Sequence, residues 1–432
     1  MSEMRDLHGL KGMKGLLNVE YGSIHAFYWM AYGALASFAS VFLLGRGYSN
    51  TDIGMIFAVG SVLAVFLQPV LADVADRSRK LSLIGVSQLV LAVIMVLTLG
   101  LFLLQEKSIA LAAVYVLILA GNTALQPLFN SLCFKLSESG IHINFGVCRS
   151  FGSLAYSILV MFLGTMAEEK GILVLPVTGE LVMFLNLIGL VLLTNHFRKA
   201  CGSGENTRGV GDAETVEKSG NTGRRDKPEE EINLIQFARR NKMFFLMTIG
   251  VLGIYFGNGV LNNFMLQVIT PLGGDSEDMG RIYSVMAFLE IPTMVLFEQI
   301  NRRISCQCLL KIASAVFVVK TAMIWLADSV TVVMLAQGLQ LFSFALFLPA
   351  MVHFIDQTMH RGEAVKGQAL YTAMITVASV ICSLLGGVIL DLYGAGRLMM
   401  LSTLLTFAGA VIISLTIGKI HTKKEETIGL SA

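Results

Sequence analysis

The chain has 432 residues, of which 55% are hydrophobic and only 14% charged. Soluble domains average about 25% charged, so with a mean hydropathy of +0.70 a soluble enzyme is excluded and a polytopic membrane protein is expected. The 32 basic and 30 acidic residues leave a formal charge of +2, too weak a field to gather nucleic acid.

The N-terminal stretch 1–15 is polar and runs into a long apolar segment without a small-residue cleavage site, which predicts a retained first helix. A helix needs about 20 apolar residues to cross a bilayer. Such runs recur at 20–44, 53–72, 81–104, 109–134, 147–167, 179–197, 243–270, 279–298, 309–327, 330–354, 368–390 and 398–418. The stretch 201–231, rich in Gly, Glu, Asn, Thr and Lys, reads as a flexible linker. The predicted fold is all-α and integral to the membrane: twelve helices in two six-helix bundles, 1–197 and 242–432, joined by a cytoplasmic linker at 198–241.

Charge sets the orientation. Arg46, Lys107, Lys170, Arg281 and Arg397 are the only basic residues in one set of loops, whereas the opposite set and both termini carry most of the others. By the positive-inside rule both termini are cytoplasmic, in a multi-pass protein of the plasma membrane. The halves also repeat. Asp52-Ile-Gly54 opens the second span and Asp278-Met-Gly280 opens the eighth, 226 positions later; Pro69 and Pro127 are answered by Pro292 and Pro349 at similar offsets. Parallel six-helix repeats are the plan of many secondary transporters, with the solute held between them near the midplane. The six cysteines are scattered; Cys306 and Cys308 fall in an expected cytoplasmic loop, where thiols stay reduced, and no CxxC pair points to zinc.

Polar residues inside apolar helices ask for a reason. The fourth span lines up Asn122, Gln126 and Asn130 at i, i+4 and i+8. The first carries Tyr21, His25, Tyr28 or Trp29, and Tyr32 at helical spacing. The seventh holds Tyr255, Asn258 and Asn262, the tenth Gln337 and Gln340, and the eleventh Thr372, Thr376, Ser379 and Ser383. Interhelical hydrogen bonding, worth about 0.6 kcal/mol on average, is one reading, and a wet solute cavity is the other. Glu290 and Lys320 each lie deep in a span, so they must pair or neutralise. Arg149 begins the fifth span and snorkels or binds solute. Tyr156, two turns on, lies on the same face about 10 Å away, which favours an arginine fork with an aromatic plate. His25 reads either as a helix-packing histidine or as a proton carrier.

The segment Ala72-Asp-Val-Ala-Asp76-Arg77-Ser-Arg79-Lys80 resembles the signature that follows the second span of the major facilitator superfamily, with alanine at the leading glycine position. Ser49-Asn-Thr-Asp52-Ile-Gly54-Met-Ile-Phe57, Gln68-Pro69 and Phe145-Gly146-Val-Cys148-Arg149-Ser-Phe151-Gly152 resemble the lactose permease branch of proton–oligosaccharide symporters. Gly280 to Arg303, with Glu290-Ile-Pro292, resembles a sister group of phenylpropionate-type permeases. The resemblance implies the major facilitator fold, with Asp76 and Arg77 in a gating loop. It makes Arg149 the substrate arginine, Tyr156 the stacking aromatic, Lys320 the ninth-helix base and Glu290 the eighth-helix acid. The acid that binds galactosides on the fourth helix is Asn130 here, and the tenth-helix histidine and glutamate are Gln340 and Ser343. These departures argue against a β-galactoside and require another proton route, assigned to Glu290.

The sequence therefore predicts a secondary transporter, not an enzyme, acting as a monomer without cofactor or metal. It imports a small hydrophilic solute, a sugar or glycoside, with protons. Solute contacts are expected from Arg149, Tyr156, Asn130, Gln126, Asn122, Tyr28, Tyr32, Asn262, Lys320 and Gln340. Import of an aromatic acid or nucleoside, drug–proton antiport and an intramembrane transferase are the alternatives. No GxxxxGK[ST] loop occurs, so an ion gradient supplies the energy.

Overall fold

The structure, a computed structural model, describes residues 2–77, 82–138, 143–202, 234–359 and 361–420. Most of the linker, the basic end of the 72–80 segment and the tail beyond 420 lie outside the described residues. Among those described there are helices and no strands, as a backbone in lipid requires unless it closes a barrel. Eleven of the helices among the described residues are long and apolar enough to cross a membrane. The last, Glu363–Ile417, has 55 residues, about 80 Å if straight against a hydrocarbon core of about 30 Å. Gly394, at φ +79, interrupts it, and a left-handed backbone there needs a residue without Cβ. Two crossings result, and the chain has the twelve-helix, two-bundle major facilitator fold.

Short polar residues start several spans. Ser82, Asn144, Asp275 and Ser305 each accept a hydrogen bond from the backbone N–H three residues on, satisfying a donor the helix cannot use. The Ser305 cap corrects one expectation: Cys306 and Cys308 belong to the ninth span, Cys306–Trp325, and not to a loop. Three spans are irregular along their length. The first (Gly15–Gly45) contains a π-helical turn, Gly33–Ser37. The seventh, expected as one run, breaks between Lys242–Asn263 and Met265–Ile269. The tenth tightens into a 3-10 turn at Gly338–Leu341, between Val330–Gln337 and Phe344–Thr358.

The bundles meet along the second span (Asn50–Arg77) against the eleventh, and the fifth (Phe145–Lys170) against the eighth (Ser276–Asn301). Both crossings use glycine. A Cβ on Gly54 would run into the Ser383 carbonyl and one on Gly387 into that of Asn50; Gly164 and Gly280 stand in the same relation to Ser276 and Val160. At one end of the molecule Asp391 accepts from the backbone and side chains of Asn50 and Thr51, while Glu168 accepts from the Ser276 N–H. Deeper in, Phe38 packs edge-on against Tyr283 and Phe57 tilts against Phe264, with centroids 6.4 and 6.1 Å apart. Each contact has its counterpart in the other half of the repeat. Together they form a two-fold seal from mid-span to this end.

Candidate functional site

Below the seal, the first and fifth spans build one half of a site. Arg149 and Tyr156 share a face of the fifth span, as their spacing predicts, because both meet Trp29 of the first. The Arg149 guanidinium lies over the Trp29 ring, 4.2 Å from its centroid, and its Nη1 donates to Ser153 Oγ at 3.3 Å. Tyr156 stands edge-on to Trp29 at 6.5 Å, and its hydroxyl donates to Ser37 Oγ at 2.8 Å. Ser37 is the last residue of the π-helical turn, a local irregularity of the kind found at functional sites. Gly152 makes the arrangement possible, since a Cβ there would come 2.5 Å from Trp29 Cδ1. Arg149, Tyr156 and Trp29 are all partly exposed.

The eighth, ninth and tenth spans supply the other half. Gln340 sits in the 3-10 turn, fully buried, and its amide has two ends in use. Nε2 donates to Glu290 Oε1 at 2.9 Å, and Oε1 accepts from the buried Lys320 ammonium. Glu290 and Lys320 were expected to pair or neutralise; they are joined through a neutral amide, and among the described residues no direct ion pair links them. The turn is held in place by Thr293 Oγ1, which donates to the Leu341 carbonyl at 3.0 Å. Glu290 and Arg149 lie on the eighth and fifth spans, which pack against each other across the bundle interface. Beside this group the Tyr255 and Tyr371 hydroxyls share a hydrogen bond of 2.8 Å.

Other expected residues lie elsewhere. Tyr28 turns into the first bundle, buried, and donates to the Asn122 carbonyl at 3.0 Å, so it braces the first span against the fourth. Tyr32 is half-buried and tilts against Trp29 at 5.3 Å. Asn122 is buried with Nδ2 unpartnered, Asn130 is half-buried with Oδ1 unpartnered, and Gln126 is half-buried. Asn262 is exposed, and its carbonyl accepts from the Tyr283 hydroxyl at 2.7 Å. His25 is buried against Tyr21 and Phe145, with both ring nitrogens unpartnered. Asp76 is exposed, and Arg77 pairs with Asp73 at 2.6 Å. Among the described residues no three His, Cys, Asp or Glu side chains gather to hold a metal.

Sequence reasoning gave Trp29 only as an alternative to Tyr28, overlooked Ser37 and Ser153, and gave Gly152 no role beyond its place in a motif. One signal was available: a glycine between Arg149 and Tyr156 on the same helix marks a place where a large side chain from a neighbour can enter.

Over residues 20–401 the chain matches the family described as MFS_1 like family. It is 24% identical to a maltose permease of Geobacillus stearothermophilus over 92% of this chain and 94% of that protein. With the uncharacterized transporter YwbF of Bacillus subtilis (strain 168) the identity is 21% over 90% and 91%. Among solved structures, a mutant of the nucleoside transporter NupG superposes with a TM-score of 0.73 at 14% identity, covering 94% of this chain and 99% of that one. The POT family transporter PepTSo gives 0.68 at 11% identity over 94% and 98%. These two likenesses concern the fold alone.

Proposed function

Because the chain belongs to the MFS_1-like family, it is a membrane transporter of small molecules and not an enzyme, and we propose that it imports a sugar or glycoside together with protons. The observation that carries this reading is the Arg149–Trp29–Tyr156 group, built where the fifth span packs against the eighth, the span that carries Glu290. A guanidinium fork binds hydroxyls in pairs, and aromatic faces cover the apolar side of a sugar ring. Likeness to a maltose permease along nearly its whole length supports the same solute class.

The bundles 1–197 and 242–432 rock about this site as a monomer, tethered by the linker at 198–241. Loop charges favour a sealed end outside the cell and both termini in the cytoplasm. The conformation is then closed outward, with the site facing inward. Glu290 carries the coupled proton. Gln340 ties it to Lys320 in the empty state, and solute arriving at Arg149 alters the field at the carboxylate. That difference between loaded and empty states is what coupling requires.

Uptake into proteoliposomes under an imposed pH gradient tests both parts, with maltose, monosaccharides, nucleosides and aromatic acids as solutes. Accumulation of a sugar that collapses with the gradient is the expected result. Glu290→Gln should keep solute exchange and lose gradient-driven accumulation. Full accumulation in that variant removes Glu290 from the proton route, and uptake of nucleosides without sugars removes the sugar.

A further inference from the structure

The site has a charge that the protein does not balance. Arginine stays protonated in proteins, yet among the described residues the polar and ring partners of the Arg149 guanidinium are an indole face and the neutral Ser153 hydroxyl. Among the described residues no Asp or Glu lies within ion-pair distance of it. The eighth span, which packs against the fifth, carries the Glu290 carboxylate, and the ninth carries the Lys320 ammonium. Through the Gln340 amide Glu290 is already committed to that ammonium. With Glu290 ionised, ammonium, amide and carboxylate form a unit without net charge, and with Glu290 protonated they offer Arg149 no counter-ion at all. Nothing on the fourth span adds a negative group, since Asn122, Gln126 and Asn130 are all amides.

In the present conformation Arg149 is partly exposed, so water can solvate it. Alternating access passes through a state closed at both ends, and there the water is excluded. An unpaired charge taken into such a low-dielectric space is costly. A neutral solute would leave it uncompensated at that moment; an anionic solute would not. The guanidinium is also held ready for one. Trp29 covers a face and fixes its plane, Ser153 engages Nη1, and the remaining N–H groups keep the fork geometry that matches a carboxylate.

We propose that the solute carries a carboxylate that serves as the counter-ion of Arg149. Resting on the sugar reading above, this makes it an acidic sugar, a hexuronide or its glycoside, whose ring lies along Trp29 and Tyr156.

The test compares methyl β-D-glucopyranosiduronate with methyl β-D-glucopyranoside, the same ring with and without the carboxylate, and adds phenylacetate, a carboxylate without a sugar. Binding to the purified full-length protein and counterflow in proteoliposomes are measured at neutral pH. The uronide should bind at least tenfold more tightly than the glucoside, and Arg149→Gln should close that gap. Should Arg149→Gln not fold, the ratio in the parent protein decides alone. Equal or tighter binding of the glucoside overturns the carboxylate proposal and leaves the sugar reading standing. Binding of phenylacetate without either sugar upholds the carboxylate and overturns the sugar. Binding of none of the three overturns both.

Discussion

Removing the two carboxylates at the sealed end should open that end. Asp391 accepts four hydrogen bonds from Asn50 and Thr51, between 2.6 and 3.1 Å, and so caps the first turn of a helix in the opposite bundle. Glu168 does the same for Ser276 with one bond of 2.9 Å. A helix cap is worth about 1 kcal/mol and up to about 2 in the stronger cases, with a further contribution from placing negative charge at a helix N-terminus. Assigning about 2 kcal/mol to Asp391 and about 1 to Glu168 gives about 3 for the pair. These contacts exist only while the end is sealed, so Asp391→Ala with Glu168→Ala shifts the equilibrium between the two conformations on the order of a hundredfold. Spin labels at Glu106 and Tyr393, exposed residues of opposite bundles at this end, report the opening by pulsed electron resonance in a background whose own cysteines are replaced. A longer distance should become a major population in the double variant. A distribution identical to the parent's refutes the assignment and leaves the seal to glycine packing and the Phe38–Tyr283 and Phe57–Phe264 contacts.

Other expectations concern the site. Gly152→Ala places a methyl 2.5 Å from Trp29 Cδ1; overpacking and the loss of a cation–π contact each cost about 1–2 kcal/mol, so the thermal midpoint should fall by a few degrees, and the displaced indole should weaken solute binding. Tyr156→Phe loses one hydrogen bond to Ser37, about 1 kcal/mol, and should be mild in uptake, whereas Tyr156→Ser removes the ring and should be severe; equal loss in both would assign the role to the hydroxyl. Gln340→Leu leaves a fully buried ammonium and a carboxylate without their bridge, a change in the range of about 3–5 kcal/mol. Its thermal midpoint should fall sharply, and an unchanged midpoint would show that the bridge does not hold the tenth span.

By itself the sequence determined the number of crossings, the repeat and the shared face of Arg149 and Tyr156. Each is a local property: the length of an apolar run, the recurrence of a short motif, the 3.6-residue period of one helix. The same locality explains where it failed. Helical period cannot choose between Tyr28 and Trp29, neighbours about 100° apart on one helix. That choice was made when Gly152 left a gap on the fifth span for an indole and Asn122 offered a carbonyl on the fourth for a phenol. An intact helix was the expectation for the tenth span; the 3-10 turn that aims Gln340 at both Glu290 and Lys320 depends on Thr293 holding the Leu341 carbonyl from the eighth. The Asp391 cap joins residues 341 positions apart, so no window along the chain contains both partners. Charges were visible as letters, but whether they cancel was decided in space. Glu290 could have answered Arg149 or Lys320, and the position of one amide gave it to the lysine.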